Sequence, residues 1–292
     1  MDYSIKNDIV SITASEIGGE LKTIKSSDGT DYLWTGSKEY WQGSAPNLFP
    51  FIGRLYEGKY LYNNESYPLA IHGFLRESKM TVNKTNDSEL EFSLESNEDT
   101  YKMYPFNFDL VIRYTLCENA VKILYQVHNK DEKDMPFAIG GHPGFCVPLN
   151  KDLSFDDYYL EFSHKSTPKR TEPTSTALLN GNYIDFPLEE DLILRLNHSL
   201  FDNDAIVLKD IARSVLLKSD KDSRAVRVDY TDFQYLGIWH TNKTEAPFIC
   251  IEPWTALQGY EGIIQEIDKN DDMIVLKHNE VYKNEWVITI IE

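Results

Sequence analysis

Cysteine is scarce in this chain, and basic residues are outnumbered. The three cysteines, Cys117, Cys146 and Cys250, are widely spaced, with no CxxC pair among them. An odd, scattered set excludes a disulfide framework and points to a reducing compartment. Each lies in an apolar, strand-like segment, where cysteine acts as a small hydrophobe. Lysine and arginine total 29 against 47 aspartates and glutamates, a formal net charge of −18. Such a surface repels polyanions, so nucleic acid is not an expected partner. No apolar run approaches the roughly 20 residues that a membrane-spanning helix needs. The opening MDYSIKNDIVSITASEIGG has no basic start leading into an apolar core, so it does not read as a signal peptide. The expected location is the cytoplasm. HExxH and paired Cys/His spacings are also missing, so no metal is expected. No Pro/Gly/Ser-rich linker or fixed-period repeat divides the chain, and residues 1–292 are expected to form one domain. Oligomeric state is not readable from these features.

What the sequence does have is a period of two. In SELEFSLES (88–96), Leu90, Phe92 and Leu94 alternate with polar residues. FDLVIRYTL (108–116) places Phe108, Leu110, Ile112, Tyr114 and Leu116 on one face, and VKILYQVHN (121–129) does the same with Val121, Ile123, Tyr125 and Val127. AVRVDY (225–230) and EWVITII (285–291) continue the alternation. This pattern means half-buried strands. Turn signals separate them at Asp28-Gly29, Asn63-Asn64 and Asn180-Gly181. The one helical candidate is PLEEDLILRLNHSLF (187–201), whose early acidic residues would suit a helix N-terminus. The predicted fold is therefore all-β, a large antiparallel sandwich or closed barrel with few short helices.

Four polar side chains interrupt apolar segments. In FAIGGHPGF (137–145), an extended chain would set Ala138, Gly140 and His142 on one face, leaving room beside the imidazole, with Pro143-Gly144 ending the pairing. In PFICIEPWTALQ (247–258), Phe248, Cys250 and Glu252 share a face opposite Ile249 and Ile251. Burial there would raise the Glu252 pKa toward the range of a general base. His72 follows an apolar pair in AIHGFLRES (70–78), and Arg54 ends an apolar run in NLFPFIGRLYEGKY (47–60). Each also has a plain structural use: a hydrogen-bonded core histidine, an Arg54–Glu252 ion pair, or an arginine stem packed over aromatics. The remaining histidines sit in polar or strand contexts and receive no role, His240 in GIWHTN being the closest case.

The pieces APNLFPFIGRLYEGKY, IHGFLRES, GGHPGF and IEPWTALQGYEG occur in this order, and together the chain resembles the aldose 1-epimerase (galactose mutarotase) family, in particular its LacX-like branch. The resemblance implies a large antiparallel β-sandwich with an open sugar site on one sheet. It implies interconversion of the α and β anomers of a free aldose, with Glu252 as general base and His142 as general acid. His72 and Arg54 would hold the ring oxygen and hydroxyls of the sugar. An aspartate of LFDNDAIVL (200–208) would bind further hydroxyls; Asp204 fits slightly better than Asp202, and both stay open. Trp254, Phe74 or Phe145 would stack on the C–H face of the sugar. The chain departs from galactose-specific members at Gly53, where they carry asparagine, and at Pro253-Trp254 after the glutamate. These departures leave the reaction type in place and the sugar open.

Mutarotation needs a base at the C1 hydroxyl and an acid at the ring oxygen, with no redox step, so no cofactor is expected. Each group typically contributes about 10²–10⁴ in rate. A nearby carboxylate should raise the basicity of His142, and a histidinium should keep Glu252 ionised. Three rival readings accompany this one. A hexose 6-phosphate mutarotase would need basic residues at the rim, with Arg76, Lys79 and Arg170 as candidates. A sugar-binding protein without catalysis would not need the acid–base pair. A glycoside hydrolase would use two carboxylates, here Glu252 and Asp204.

Overall fold

A computed structural model describes residues 1–292, with the side chains of residues 84 and 85 outside the description. Two large antiparallel sheets dominate it. The nine-stranded sheet runs, in spatial order, Ile193–Arg195, Tyr159–Phe162, Ser214–Ser219, Asp222–Asp229, Val281–Ile291, Ala120–Asn129, Phe108–Cys117, Glu89–Glu95 and Thr81–Asn86. Its central strands are the alternating segments of the sequence. Every inward residue of Phe108–Cys117 is buried, and its pairing sets Tyr114 opposite Ile123 and Ile112 opposite Tyr125. Register is secure because a one-residue slip would turn this apolar face to water.

The eight-stranded sheet carries the interrupted motifs. Its order is Tyr183–Asp185, Lys169–Thr171, Ile206–Lys209, Tyr235–Trp239, Phe248–Trp254, Gly140–Gly141 and Asn47–Leu48, with Gly144–Cys146 also paired to Phe248–Trp254. Segments about a hundred residues apart thus become neighbours. Gly140 pairs with both Trp254 and Leu48. One apolar core runs from Ile5 to Ile290 and joins the two sheets. A buried polar knot ties them as well. Tyr125 Oη–H donates to Asn47 Oδ1 at 2.7 Å, and the Asn47 amide donates to Tyr114 Oη and to the Gly18 carbonyl. Such a network is stable only because its members are satisfied.

Three expectations change. Residues 187–201 form no α-helix. Glu190 and Asp191 take left-handed φ values of 54° and 61°, which makes a turn. Ile193–Arg195 then pairs with Tyr159–Glu161, and only His198–Phe201 closes a 3₁₀ turn. Strand pairing overrides the helical pattern there. The α-helix of the chain is instead Glu98–Met103, begun by Asn97, whose side chain accepts from the Asp99 and Thr100 amides. Second, pairing resumes immediately after Pro143, since Gly144 lies opposite Cys250. Third, Cys117 is exposed, so only Cys250 is a fully buried apolar filler.

Candidate active site

A cleft of about 220 Å³ opens on the eight-stranded sheet. It gathers Arg54, His72, His142, Asp204, Glu252 and Trp254. Phe74 and Phe145 are in the core instead, at 6% and 0% exposure.

Glu252 reaches the cleft because the strand Phe248–Trp254 splits its faces. Ile249 and Ile251 enter the main core, while Phe248 and Cys250 join a second cluster under Trp34, Tyr40, Trp41 and Trp239. Glu252 lies on that second face and is 1% exposed. His142 is held from both sides by backbone bonds, its own N–H to the Pro46 carbonyl and the Ile251 N–H to the Pro143 carbonyl. His142 Nε2 and Glu252 Oε2 approach to 3.2 Å. The approach is not aligned as a hydrogen bond, so Oε2 has no hydrogen-bond partner, and neither does His142 Nδ1. Glu252 therefore faces His142 and not Arg54, which excludes the structural ion pair considered above.

The glycines beside His142 do not clear room for a ligand. A Cβ on Gly141 would lie 2.5 Å from the Trp286 ring, and one on Gly140 would lie 2.8 Å from the Pro253 carbonyl and 3.1 Å from the Trp254 indole. They admit protein, not substrate. The open space lies beyond the imidazole, where Trp41 tilts over His142 at 5.0 Å and Trp239 stands edge-on at 5.7 Å. Both indoles line the cleft and were missed in the sequence. The signal available was their type alone, since neither belongs to a motif.

His72 is placed by an unusual backbone. Its φ is 65°, and it is followed by Gly73 at 77°, where a Cβ would fall 2.1 Å from the Phe49 carbonyl oxygen. His72 N–H donates to the Gly53 carbonyl, and the Gly53 N–H donates to His72 Nδ1 at 3.0 Å. Nδ1 is thus an acceptor, and the neutral ring must carry its proton on Nε2. Burial holds His72 well below the usual histidine range, with repulsion from a protonated His142 and from Arg76 and Arg54 adding to it. It is a neutral hydrogen-bond donor. Between the two aspartates left open, Asp204 lines the cleft, while Asp202 caps the 3₁₀ turn.

The electrostatics reverse one expectation. Burial pushes Glu252 well above the ordinary carboxylate range. The Trp254 N–H, which faces the carboxyl without completing a hydrogen bond, opposes the rise, and the charge of Asp204 adds to it. Burial likewise lowers His142. Desolvation outweighs mutual attraction, so of the two forms that share one acidic proton, the protonated carboxyl facing a neutral imidazole is favoured. Cys250 Sγ and the donor atoms of His142 and Glu252 lie within 4.8 Å of one another, the one such cluster among the described residues. Burial keeps the Cys250 thiol well above its usual range, hence neutral.

Comparison with known proteins bears on the family and the fold. The family model described as aldose 1-epimerase matches residues 1–289. The chain belongs to the aldose 1-epimerase family. It is 37% identical over 267 residues to the chromosomal LacX protein of Lactococcus lactis subsp. lactis, covering 88% of each chain. Two solved structures superpose with a TM-score of 0.94. One is a galactose mutarotase related enzyme from Lactobacillus acidophilus, 30% identical, covering 99% of this chain and 97% of that one. The other is a galactose mutarotase-like protein from Lactobacillus casei, 32% identical, covering 99% and 100%. The galactose mutarotase-like sandwich is thereby established, and family membership implies a small-molecule sugar substrate. Among the described residues no helix is long and apolar enough to cross a membrane.

Proposed function

We propose that this aldose 1-epimerase family member is a mutarotase, acting on a free aldose in the cytoplasm through Glu252 and His142. The supporting observation is the buried 3.2 Å contact between a carboxyl and an imidazole at the floor of a cleft able to admit a sugar; burial places the acidic proton of the pair on Glu252. Moving that proton from Glu252 to His142 creates the working carboxylate and imidazolium, and the hydroxyls of a bound sugar replace part of the solvation lost on burial. Glu252 then takes the proton of the C1 hydroxyl. The C1–O5 bond breaks, its electron pair goes to O5, and His142 delivers its proton there. The product is the open-chain aldehyde, with the proton of the pair now on Glu252. Rotation about C1–C2 and the reverse transfers close the ring on the opposite face. His72 Nε2–H and Arg54 orient the ring oxygen and hydroxyls, Asp204 accepts from further hydroxyls, and Trp254 packs on the C–H face.

The test is proton exchange NMR on equilibrium mixtures of galactose and of glucose, with wild type beside Glu252→Gln and His142→Asn. Acceleration by the wild type and its loss in both variants is the expected result. Sugar binding without acceleration would leave a non-catalytic binding protein, and release of a new reducing end from a glycoside would indicate a hydrolase.

One observation favours a second reading, a hexose 6-phosphate substrate. Arg76 lines the same cleft as Arg54, and its ion-pair contact with Glu77 is long, at 3.6 Å. The other rim candidates are engaged elsewhere: Lys79 pairs with Glu16, and Arg170 donates to the Ala205 carbonyl. A higher kcat/KM for the phosphorylated sugar, lost in Arg76→Ala, would select this reading.

A further inference from the structure

We infer that Gln258 is a sugar-binding residue that recognises one hydroxyl of the substrate, and that Gly53 is glycine in order to seat it. The inference rests on the sugar site proposed above. Gln258 lies just beyond the strand of Glu252 and lines the cleft. Its backbone is held on the C-terminal side, where the Gly259 N–H donates to the Arg54 carbonyl at 2.7 Å and the Leu179 N–H donates to the Gly259 carbonyl at 2.9 Å. The side chain therefore starts from a fixed point directly over Gly53. A Cβ on residue 53 would lie 2.5 Å from Gln258 Cβ, and Gly53 has a φ of 70°. Any side chain there strains the backbone and displaces Gln258. Gly53 also donates its N–H to His72 Nδ1, so Gln258, Gly53 and His72 make one packed wall of the cleft.

On that wall, Gln258 Oε1 is buried without a hydrogen-bond partner. A buried carbonyl oxygen left unpaired typically costs about 1–3 kcal/mol, and a ligand hydroxyl that donates to it removes the cost. A carboxamide accepts from and donates to a hydroxyl without adding charge, so it suits a neutral sugar hydroxyl. It makes no hydrogen bond with Glu252 or His142, so its effect should fall on binding and on the choice of sugar, not on the proton transfers.

The experiment uses the full chain, with Gln258→Leu, which keeps volume, and Gly53→Ala. Sugar affinity is measured by titration calorimetry, and KM and kcat by anomer exchange, for the parent aldose and for its monodeoxy analogues lacking one hydroxyl each. In wild type, one analogue should bind roughly tenfold more weakly than the parent. Gln258→Leu should weaken the parent by a similar factor, mainly in KM, and the further loss with that analogue should vanish, as a double-mutant cycle requires. Gly53→Ala should reproduce the pattern. Unfolding curves of both variants separate this from loss of fold. The inference is overturned if Gln258→Leu leaves affinity unchanged, if it weakens every analogue equally, or if no sugar binds the wild type. Binding with the expected pattern but without anomer exchange would uphold Gln258 and sink the mutarotase reading.

Discussion

Two pairs of histidines sit among aromatic rings in this protein, and they differ in how their nitrogens are satisfied. His198 and His240 meet at 3.1 Å under Phe155 and Phe201. His240 Nδ1–H donates to the Thr241 carbonyl at 2.8 Å, so its Nε2 accepts from His198 Nδ1–H. The ring of His240 is saturated, and burial lowers its pKa to about 4. His72 and His142 stand perpendicular at 5.4 Å, yet His142 Nδ1 has no partner and its Nε2 faces a carboxyl. Both environments are aromatic. The difference is that the second pair borders a cleft with unsatisfied polar atoms, which native interiors otherwise avoid. Burial alone did not separate them; completeness of hydrogen bonding did.

The comparison can be broken first at the cleft. Glu252→Gln and His142→Asn should each reduce kcat by about 10²–10⁴, read by anomer exchange, while His240→Phe should leave kcat within a few-fold. Equal loss in His240→Phe would erase the distinction. Next in size is His72→Phe, which removes the Nε2–H donor and should cut kcat/KM roughly tenfold, chiefly through KM. Stability should show the opposite ranking. His240→Phe removes two part-buried hydrogen bonds and should cost roughly 1–3 kcal/mol in denaturant unfolding.

Glu252→Gln should instead raise the melting temperature at neutral pH. The folded pKa of Glu252 lies above its unfolded value of 4.5. Its contribution therefore favours the fold below that value and is lost as pH rises, so the advantage of glutamine should shrink as pH falls toward 4.5. The smallest effect expected is in the pH–rate profile. The pair stays in its one-proton form until pH exceeds the raised pKa of Glu252 or falls below the lowered pKa of His142. The plateau of kcat/KM should then be broader than unperturbed Glu and His values would allow. A narrow bell between about 4.3 and 6.5 would contradict it.

Much of the architecture was legible in the chain itself. Strict alternation in Phe108–Cys117 and Ala120–Asn129 leaves one apolar face, and only a packed sheet can bury it. The same logic separated Glu252 from Ile249 and Ile251, because successive side chains on a strand point oppositely. The stretch 187–201 was misread because local pattern does not report a pairing partner, here Tyr159–Glu161. The room expected beside His142 at Gly140 was misread for a related reason. A glycine signals close approach, but only the fold shows that the approaching groups are Trp254 and Trp286.

The residue types available for chemistry, the faces on which Glu252 and its neighbours lie, and the antiparallel β class can all be read along the chain. These follow from bond geometry and hydrophobic period, both local properties. Packing in three dimensions decided that Glu252 meets His142 and not Arg54, that Asp204 and not Asp202 lines the cleft, and that Trp41, Trp239 and Gln258 join it. It also decided that burial favours the proton on Glu252 over His142. Protonation depends on desolvation, and desolvation depends on everything packed around a group, most of it distant in the chain.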